Sequence, residues 1–404
     1  MFDTGNTAFM LVATSLVMLM TPGLAFFYGG LVSRKNVLTI MAQSFISMGV
    51  TSALWFIVGY SLCFSGDIGG IIGNLDMMFL KGVGINDVLS KDNNIPLLVF
   101  VAYQMMFAII TPALITGAFA NRIRFKAYLI FLISWLLLVY FPICHMAWGG
   151  GLFQQWGVID FAGGTVVHCT AGFAALAAVF FIGKRKKIDG YHSVPLVALG
   201  TALLWFGWYG FNAGSELQVD SITGLAFINT DIAASISGLT WLLMAWLRKK
   251  KPSLIGYLTG AVAGLVAITP AAGFVSIKSA FLIGIASGVV CYLAVLYKEK
   301  KGWDDALDVW GVHGIGGAVG VLMLGLLAST KVNPGGADGL FFGGGEFFVK
   351  EVLSLVIAAT YAFIFTYFML FIISKITKVK TSEAEEELGL DESIHGEEAY
   401  KDIV

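Results

Sequence analysis

Apolar residues come in long blocks along this chain, broken by short polar connections, and such blocks recur at 9–32, 38–62, 96–119, 127–148, 161–182, 194–212, 224–247, 254–273, 279–297, 309–329 and 346–374. A helix that crosses a bilayer needs about 20 apolar residues. The pattern therefore predicts an all-α polytopic membrane protein with eleven transmembrane helices. The first block could pass for a signal peptide. It lacks a basic leading region, carries Asp3 instead, and runs on from Phe9 to Val32. That exceeds a signal core of about 7–15 residues, so it reads as the first helix.

The connections alternate in basic content. One set holds Arg34 and Lys35; Arg122, Arg124 and Lys126; Lys184 to Lys187; Arg248 to Lys251; Lys298, Lys300 and Lys301; and Lys375, Lys378, Lys380 and Lys401. These are 20 of the 25 Lys and Arg residues. The other set holds Lys81, Lys91, Lys278, Lys331 and Lys350. Positive charge marks the inside, so the N-terminus is predicted outside and the C-terminus inside. Glycine follows a packing pattern. Gly256, Gly260 and Gly264 make a double GxxxG, repeated at Gly284 and Gly288 and at Gly316 and Gly320. Small faces let helix backbones approach closely in a membrane.

Composition agrees with the pattern. The chain is 57% hydrophobic and 13% charged, against about 25% charged in soluble domains. A net charge of −1 argues against a nucleic-acid partner. Cys63, Cys144, Cys169 and Cys291 are scattered without CxxC or CxxxH spacing, which predicts buried free thiols.

Two histidines break the apolar blocks. DFAGGTVVH ends at His168, eight residues after Asp160, and DALDVWGVH ends at His313, eight residues after Asp305. They lie five spans apart. Aromatic-glycine clusters also recur five spans apart, as GLAFFYGG and WFGWYGFNAG. Helices five crossings apart run antiparallel, so the reading is a 5+5 inverted repeat plus one additional helix, with the two histidines near the midplane. Each could be a core residue bonded to a backbone carbonyl. Their matched placement favours a transport path, where costly intramembrane polar groups concentrate. Two histidines fall short of zinc's usual four ligands, and neither metal nor cofactor is implied. His145 reads as interfacial, and His192 and His395 as solvated.

Phe107, Trp148, Phe211 and Ser215 fall toward the outer ends of helices three, four and six. An interfacial belt explains Trp148 and a lipid face explains Phe107. If they converge, they form an aromatic cage with one hydroxyl, which attracts a small cation by about 0.5–2 kcal/mol.

These motifs, with FYGGLVSRKN, AWGGGLF, GWYGFNAGS, the Asn229–Thr230 pair and DVWGVHGIGG, run nearly the whole chain. The sequence resembles the ammonium transporters, the Amt/Mep/Rh superfamily, on the Amt branch. The resemblance implies a substrate of ammonium or ammonia, with methylammonium as analogue. It implies that Trp148, Phe107 and Ser215 form an outer recruitment site. Phe107 and Phe211 would close the pore below it, His168 and His313 would line the pore, and Asp160 would support the site. It also implies a homotrimer in the cell membrane and a P_II signalling protein as a cytoplasmic partner.

From Thr381 the composition turns acidic, with nine carboxylates to one lysine. Residues 1–380 therefore read as the membrane domain and 381–404 as a cytoplasmic tail. The tail is either an inert disordered extension or, by the resemblance, a regulatory segment. It could pair with the loops at Lys184–Lys187 and Arg248–Lys251, with Leu388, Leu390, Ile394 and Tyr400 as apolar anchors. No nucleophile–base or metal set suggests an enzyme. The alternatives are an ammonium sensor signalling through its tail and an Rh-type neutral gas channel, against which Trp148 and Ser215 together argue.

Overall fold

The structure, a computed structural model, describes residues 2–90, 94–186 and 190–400. Lys91, Lys187, Lys401 and Asp402, used in the charge reading, lie outside the described residues. Among the described residues the regular structure is helical, and extended pairing is limited to the isolated bridges Ile68–Ile72, Val88–Pro96 and Ile123–Lys380.

The described residues form a series of long helices: α1 (Thr4–Leu31), α2 (Arg34–Phe64), α3 (Leu97–Ile115), α4 (Phe125–Gln155), α5 (Gly164–Ile182), α6 (Val194–Glu216), α7 (Ser221–Lys249), α8 (Leu254–Ile268), α9 (Ile277–Lys301), α10 (Trp310–Leu327) and α11 (Gly345–Ile376). All but α8 are long and apolar enough to cross a membrane. The sequence predicted α8 to reach 273. It stops at Ile268 because residues 269–275 turn back, with their carbonyls taken by side chains from other segments. Asn229 donates to Ala272 O and Val275 O, both at 2.9 Å, and Asn333 donates to Gly273 O at 3.1 Å. Block three likewise ends early, at Ile115 rather than 119. There the fully buried Arg122 bonds to Ala118 O and reaches Gly183 O at 2.5 Å.

Polar first residues start several helices. Asp3 accepts from Asn6 N at 2.7 Å, and Asp220 and Thr223 form a reciprocal cap on α7. Such caps satisfy N–H groups that have no partner within the helix. The glycine blocks pack as their spacing predicts. α1 runs along α6, and α7 is flanked by α8 and α9. A Cβ on Gly264 would sit 2.3 Å from Ala233 O, and one on Gly288 would sit 2.9 Å from Ser237 O. Large apolar side chains such as Leu11, Phe56, Leu243 and Phe368 face outward, as lipid requires.

The N-terminal end and the tail lie at opposite faces. Asp3 N bonds Asn94 O, and Asn6 accepts from Val219 N, at the face that also carries Trp148. The segment after α11 crosses the other face. Its backbone pairs with residues 122–124, through Arg124 N to Val379 O (2.9 Å) and Thr381 N to Arg122 O (3.0 Å). A short helix, α12 (Glu383–Leu388), follows, capped by Ser382. Gly389, at φ 107°, turns the chain tightly over Lys35. Leu390 is buried, and Asp391 accepts from Leu38 N (3.0 Å), Thr39 N (2.7 Å) and Thr39 Oγ1 (2.8 Å).

This docked course departs from a disordered extension. Of the expected apolar anchors, Leu390 is buried and Ile394 half-buried, whereas Leu388 and Tyr400 stay exposed at 51% and 43%. Tyr400 instead lies under the Arg34 guanidinium, 5.4 Å from its ring centre. Among the described residues, Arg124 pairs with Glu385 (2.7 Å) and Lys186 with Glu383, whereas Arg248–Lys251 make no ion pair to the tail. Nearby, Asp304 bridges Arg185 (2.6 Å) and Arg122 (3.1 Å). Burial pushes the Asp304 carboxyl up, but the two guanidiniums and the Arg185 N–H outweigh it and hold it below the usual carboxylate range.

Candidate functional site

His168 and His313 sit where α5 and α10 cross. A Cβ on Gly172, one turn after His168, would fall 2.1 Å from the backbone of Gly314, the residue after His313. A Cβ on Gly317, one turn after His313, would fall 3.0 Å from the nitrogen of Cys169, the residue after His168. This reciprocal contact is what a local two-fold relation between the helices demands. Each histidine also lies in a widened π-helical turn, Gly164–Cys169 or Trp310–Gly314, a distortion common at functional positions.

The preceding aspartates cap these turns. The Asp160 carboxylate accepts from the N–H groups of Gly163, Gly164, Thr165 and Val166 at 2.7–3.1 Å. Asp305 accepts from Val309 N (3.1 Å) and Trp310 N (2.8 Å). Charge-assisted bonds of this kind are strong, and they fix both histidine-bearing turns.

The two buried imidazoles meet at Nδ1, 3.3 Å apart, with ring centres at 5.4 Å. One Nδ1 must donate and the other accept. Among the described residues, Nε2 of His168 has no hydrogen-bond partner. Whichever tautomer His168 takes, that nitrogen is free to bond a small molecule beside it. The ring is held by stacking on Trp208, 5.3 Å away, whose indole N–H donates to Thr269 Oγ1 at 2.9 Å.

Toward the Trp148 face, the Phe107 and Phe211 rings overlap at 4.3 Å. Trp148 stands edge-on to Phe107 at 5.8 Å, and its indole N–H donates to Asp160 O at 2.8 Å. Ser215 Oγ donates to Phe211 O at 2.9 Å. Its lone pairs therefore remain available to a donor. Tyr103, which bonds Phe211 O and Gly210 O at 2.9 Å each, lies 3.2 Å from that hydroxyl. The sequence-predicted cage residues thus converge.

Three hollows border these residues. An open cavity of about 470 Å³ at the Trp148 face is lined by Phe107, Trp148, Asp160 and Ser215. Beyond the phenylalanine pair lies a narrow lumen of about 10 Å³, lined by Phe211, His168, His313 and aliphatic side chains. His313 also borders a cavity of about 290 Å³ at the tail face, with Tyr28, Arg185 and Asp308.

Three histidine readings change. His145 is not interfacial but fully buried, because residues 63–70 fold over it. His192 and His395 are half-buried under or within the tail; His192 bonds Val32 O and faces Tyr400, and His395 packs on Phe125. All four cysteines are buried and free. Sequence reasoning missed Gln104, whose buried Oε1 lacks a partner beside the outer cavity, and Glu351, wholly buried and accepting from Ile159 N at 2.8 Å. A polar residue within an apolar run was the available signal for both.

Residues 8–400 match the Ammonium Transporter Family. The ammonium transporter of Bacillus subtilis strain 168 is 48% identical over 403 residues, covering 98% of this chain and 99% of its own. Ammonium transporter Amt1 of Archaeoglobus fulgidus is 44% identical, with 98% and 99% covered. The crystal structure of Candida albicans Mep2 superposes with a TM-score of 0.89 at 36% identity, covering 95% of this chain and 88% of that one.

Proposed function

The chain belongs to the ammonium transporter family, and from that premise we propose that it conducts ammonium nitrogen across the cytoplasmic membrane by recruiting the cation, deprotonating it and passing ammonia along the histidine pair. One observation carries this reading. A cage of Trp148, Phe107 and Ser215 opens to one face, and a stacked phenylalanine pair separates it from an apolar lumen whose polar wall is two hydrogen-bonded imidazoles.

The chemistry runs from outside inward. Ring quadrupoles attract the cation, by about 0.5–2 kcal/mol, and Ser215 accepts one of its hydrogens. Asp160 adds negative charge behind the cage while its own oxygens are taken by backbone N–H groups. The lumen offers too few ligands to replace a hydration shell, so desolvation disfavours the charged form and the substrate loses a proton at the gate. Potassium has no proton to lose and is refused. Within the lumen, ammonia can both donate to and accept from a neutral imidazole.

The remaining assignments are proposals on the same premise. Basic residues gathered at the tail face make that face cytoplasmic by the charge rule. A homotrimer is supported by Asp231, half-buried in mid-α7 and bonded to Tyr209 at 2.6 Å. A carboxylate on the outer wall of a bundle is costly in lipid, and a second copy packed there would cover it. The exposed acids of the tail are a surface on which a P_II protein could act.

Uptake of labelled methylammonium by reconstituted vesicles, with and without a membrane potential, tests the function. Saturable uptake that excludes potassium is the expected result. Vesicles no more permeable than protein-free lipid would sink it.

A further inference from the structure

His145 is fully buried, three residues before Trp148 in α4. Its Nδ1 lies 2.9 Å from Cys63 O and its Nε2 3.0 Å from Asp67 Oδ1. A carbonyl and a carboxylate are both acceptors, whereas a neutral imidazole has a single N–H. Both contacts are hydrogen bonds when the ring carries two protons and Asp67 is ionised. Asp67 has the environment of an ionised group. It is partly exposed, accepts from Gly70 N at 2.8 Å, and is held below the usual carboxylate range, first by the His145 bond and also by the Gly70 N–H. Cys63, whose carbonyl faces the ring, and Cys144, next to His145 in the chain, carry buried free thiols.

The pair sits at a seam. His145 O accepts from Gly149 N (2.9 Å) and Gly151 N (3.0 Å), which bracket the turn leaving Trp148. A Cβ on Gly149 would fall 1.9 Å from Cys63 O and 2.6 Å from His145 Nδ1. Leu152 N donates to Gly70 O at 2.7 Å. The end of α4 is therefore stitched to the segment that follows α2, with the His145–Asp67 contact at its centre. Trp148 is otherwise fixed through its indole bond to Asp160 O.

We propose that His145 and Asp67 form an imidazolium–carboxylate clasp that positions Trp148 for cation recruitment. His145 is a positioning residue, since it does not line the outer cavity. The inference rests on the reading of Trp148 as part of a recruitment site.

The test has two readouts. Full-length protein labelled with ¹⁵N-histidine is examined in lipid at neutral pH. One ring with both nitrogens protonated is expected, absent in His145→Gln and converted to a neutral ring in Asp67→Asn. A neutral His145 ring in the unaltered protein overturns the clasp. In methylammonium uptake, both variants should raise the half-saturating concentration about tenfold, equivalent to about 1.4 kcal/mol, with the maximal rate within about twofold. An unchanged half-saturation, or an equal fall in rate alone, overturns the positioning role. Asp67→Asn, in a partly exposed loop, carries the test if His145→Gln does not fold. If the unaltered protein transports nothing, the transport reading fails, while the ¹⁵N spectrum still decides whether the charged pair exists.

Discussion

At the scale of single residues, the proposed pore depends on few polar atoms in an apolar channel, so each deletion has a readable effect. Replacing His168 or His313 with Ala removes a hydrogen-bonding wall without touching the crossing glycines. We expect folded protein whose uptake falls about tenfold, as losing roughly 1.4 kcal/mol implies, or whose potassium exclusion fails. Normal uptake and exclusion in the double variant would remove the pair from the pathway. Trp148→Leu should raise the half-saturating concentration about 2- to 30-fold, from the loss of about 0.5–2 kcal/mol of ring attraction. A concentration dependence that does not move would return Trp148 to an interfacial anchor. These residues were legible because an imidazole, or an aromatic cluster beside glycines, stands out from an aliphatic block. Tyr103 and Trp208 were not, since one aromatic among many carries no positional signal. His145 was misread because its burial comes from residues 63–70, which lie close only after folding.

At the scale of elements, each of the eleven apolar blocks holds a helix among the described residues, ten of them long and apolar enough to cross a membrane, and their ends were the weak point. The ends of α3 and α8 are set by Arg122, Asn229 and Asn333 reaching in from other segments, which no periodicity reports. The glycine at the histidine crossing makes a sharp prediction. Gly172→Ala places a Cβ against the Gly314 backbone, which cannot yield as a side chain can. Thermal melting should show a loss of about 1–3 kcal/mol or more. Gly49→Ala, with open space around its Cβ, should be neutral or slightly stabilising. Equal behaviour of the two would mean the helices are not in backbone contact. The acidic tail was visible as composition, but its latch was not. Asp391 looks like one acid among nine and becomes distinct only against the N–H groups of Leu38 and Thr39. Truncation after Lys380, and Asp391→Ala more mildly, should leave assembly and selectivity intact and lower the transport rate or its response to a P_II protein. Equal rates and responses at equal membrane abundance would make the tail passive.

At the scale of the whole molecule, charge asymmetry and internal repetition were the most informative signals. Both are sums over many residues, so single misreadings do not disturb them. Arg34, Lys35, Arg124 and Lys186 do gather around the tail, and the two histidine-bearing turns do meet. Many membrane carriers work by rocking one repeat against the other around a central site. Here the two histidine-bearing helices are riveted by close backbone contact, Gly172 against Gly314. On the proposed reading, passage would then fall to small local fluctuations, such as swings of the Phe107 and Phe211 rings, instead of a carrier cycle that must reset after each delivery. A carrier's reset is hastened by substrate waiting on the far side, whereas a fixed conduit has nothing to reset. Vesicles preloaded with unlabelled methylammonium should therefore take up external label no faster than empty ones. Clear acceleration by preloading would mean that the rivet opens in every turnover.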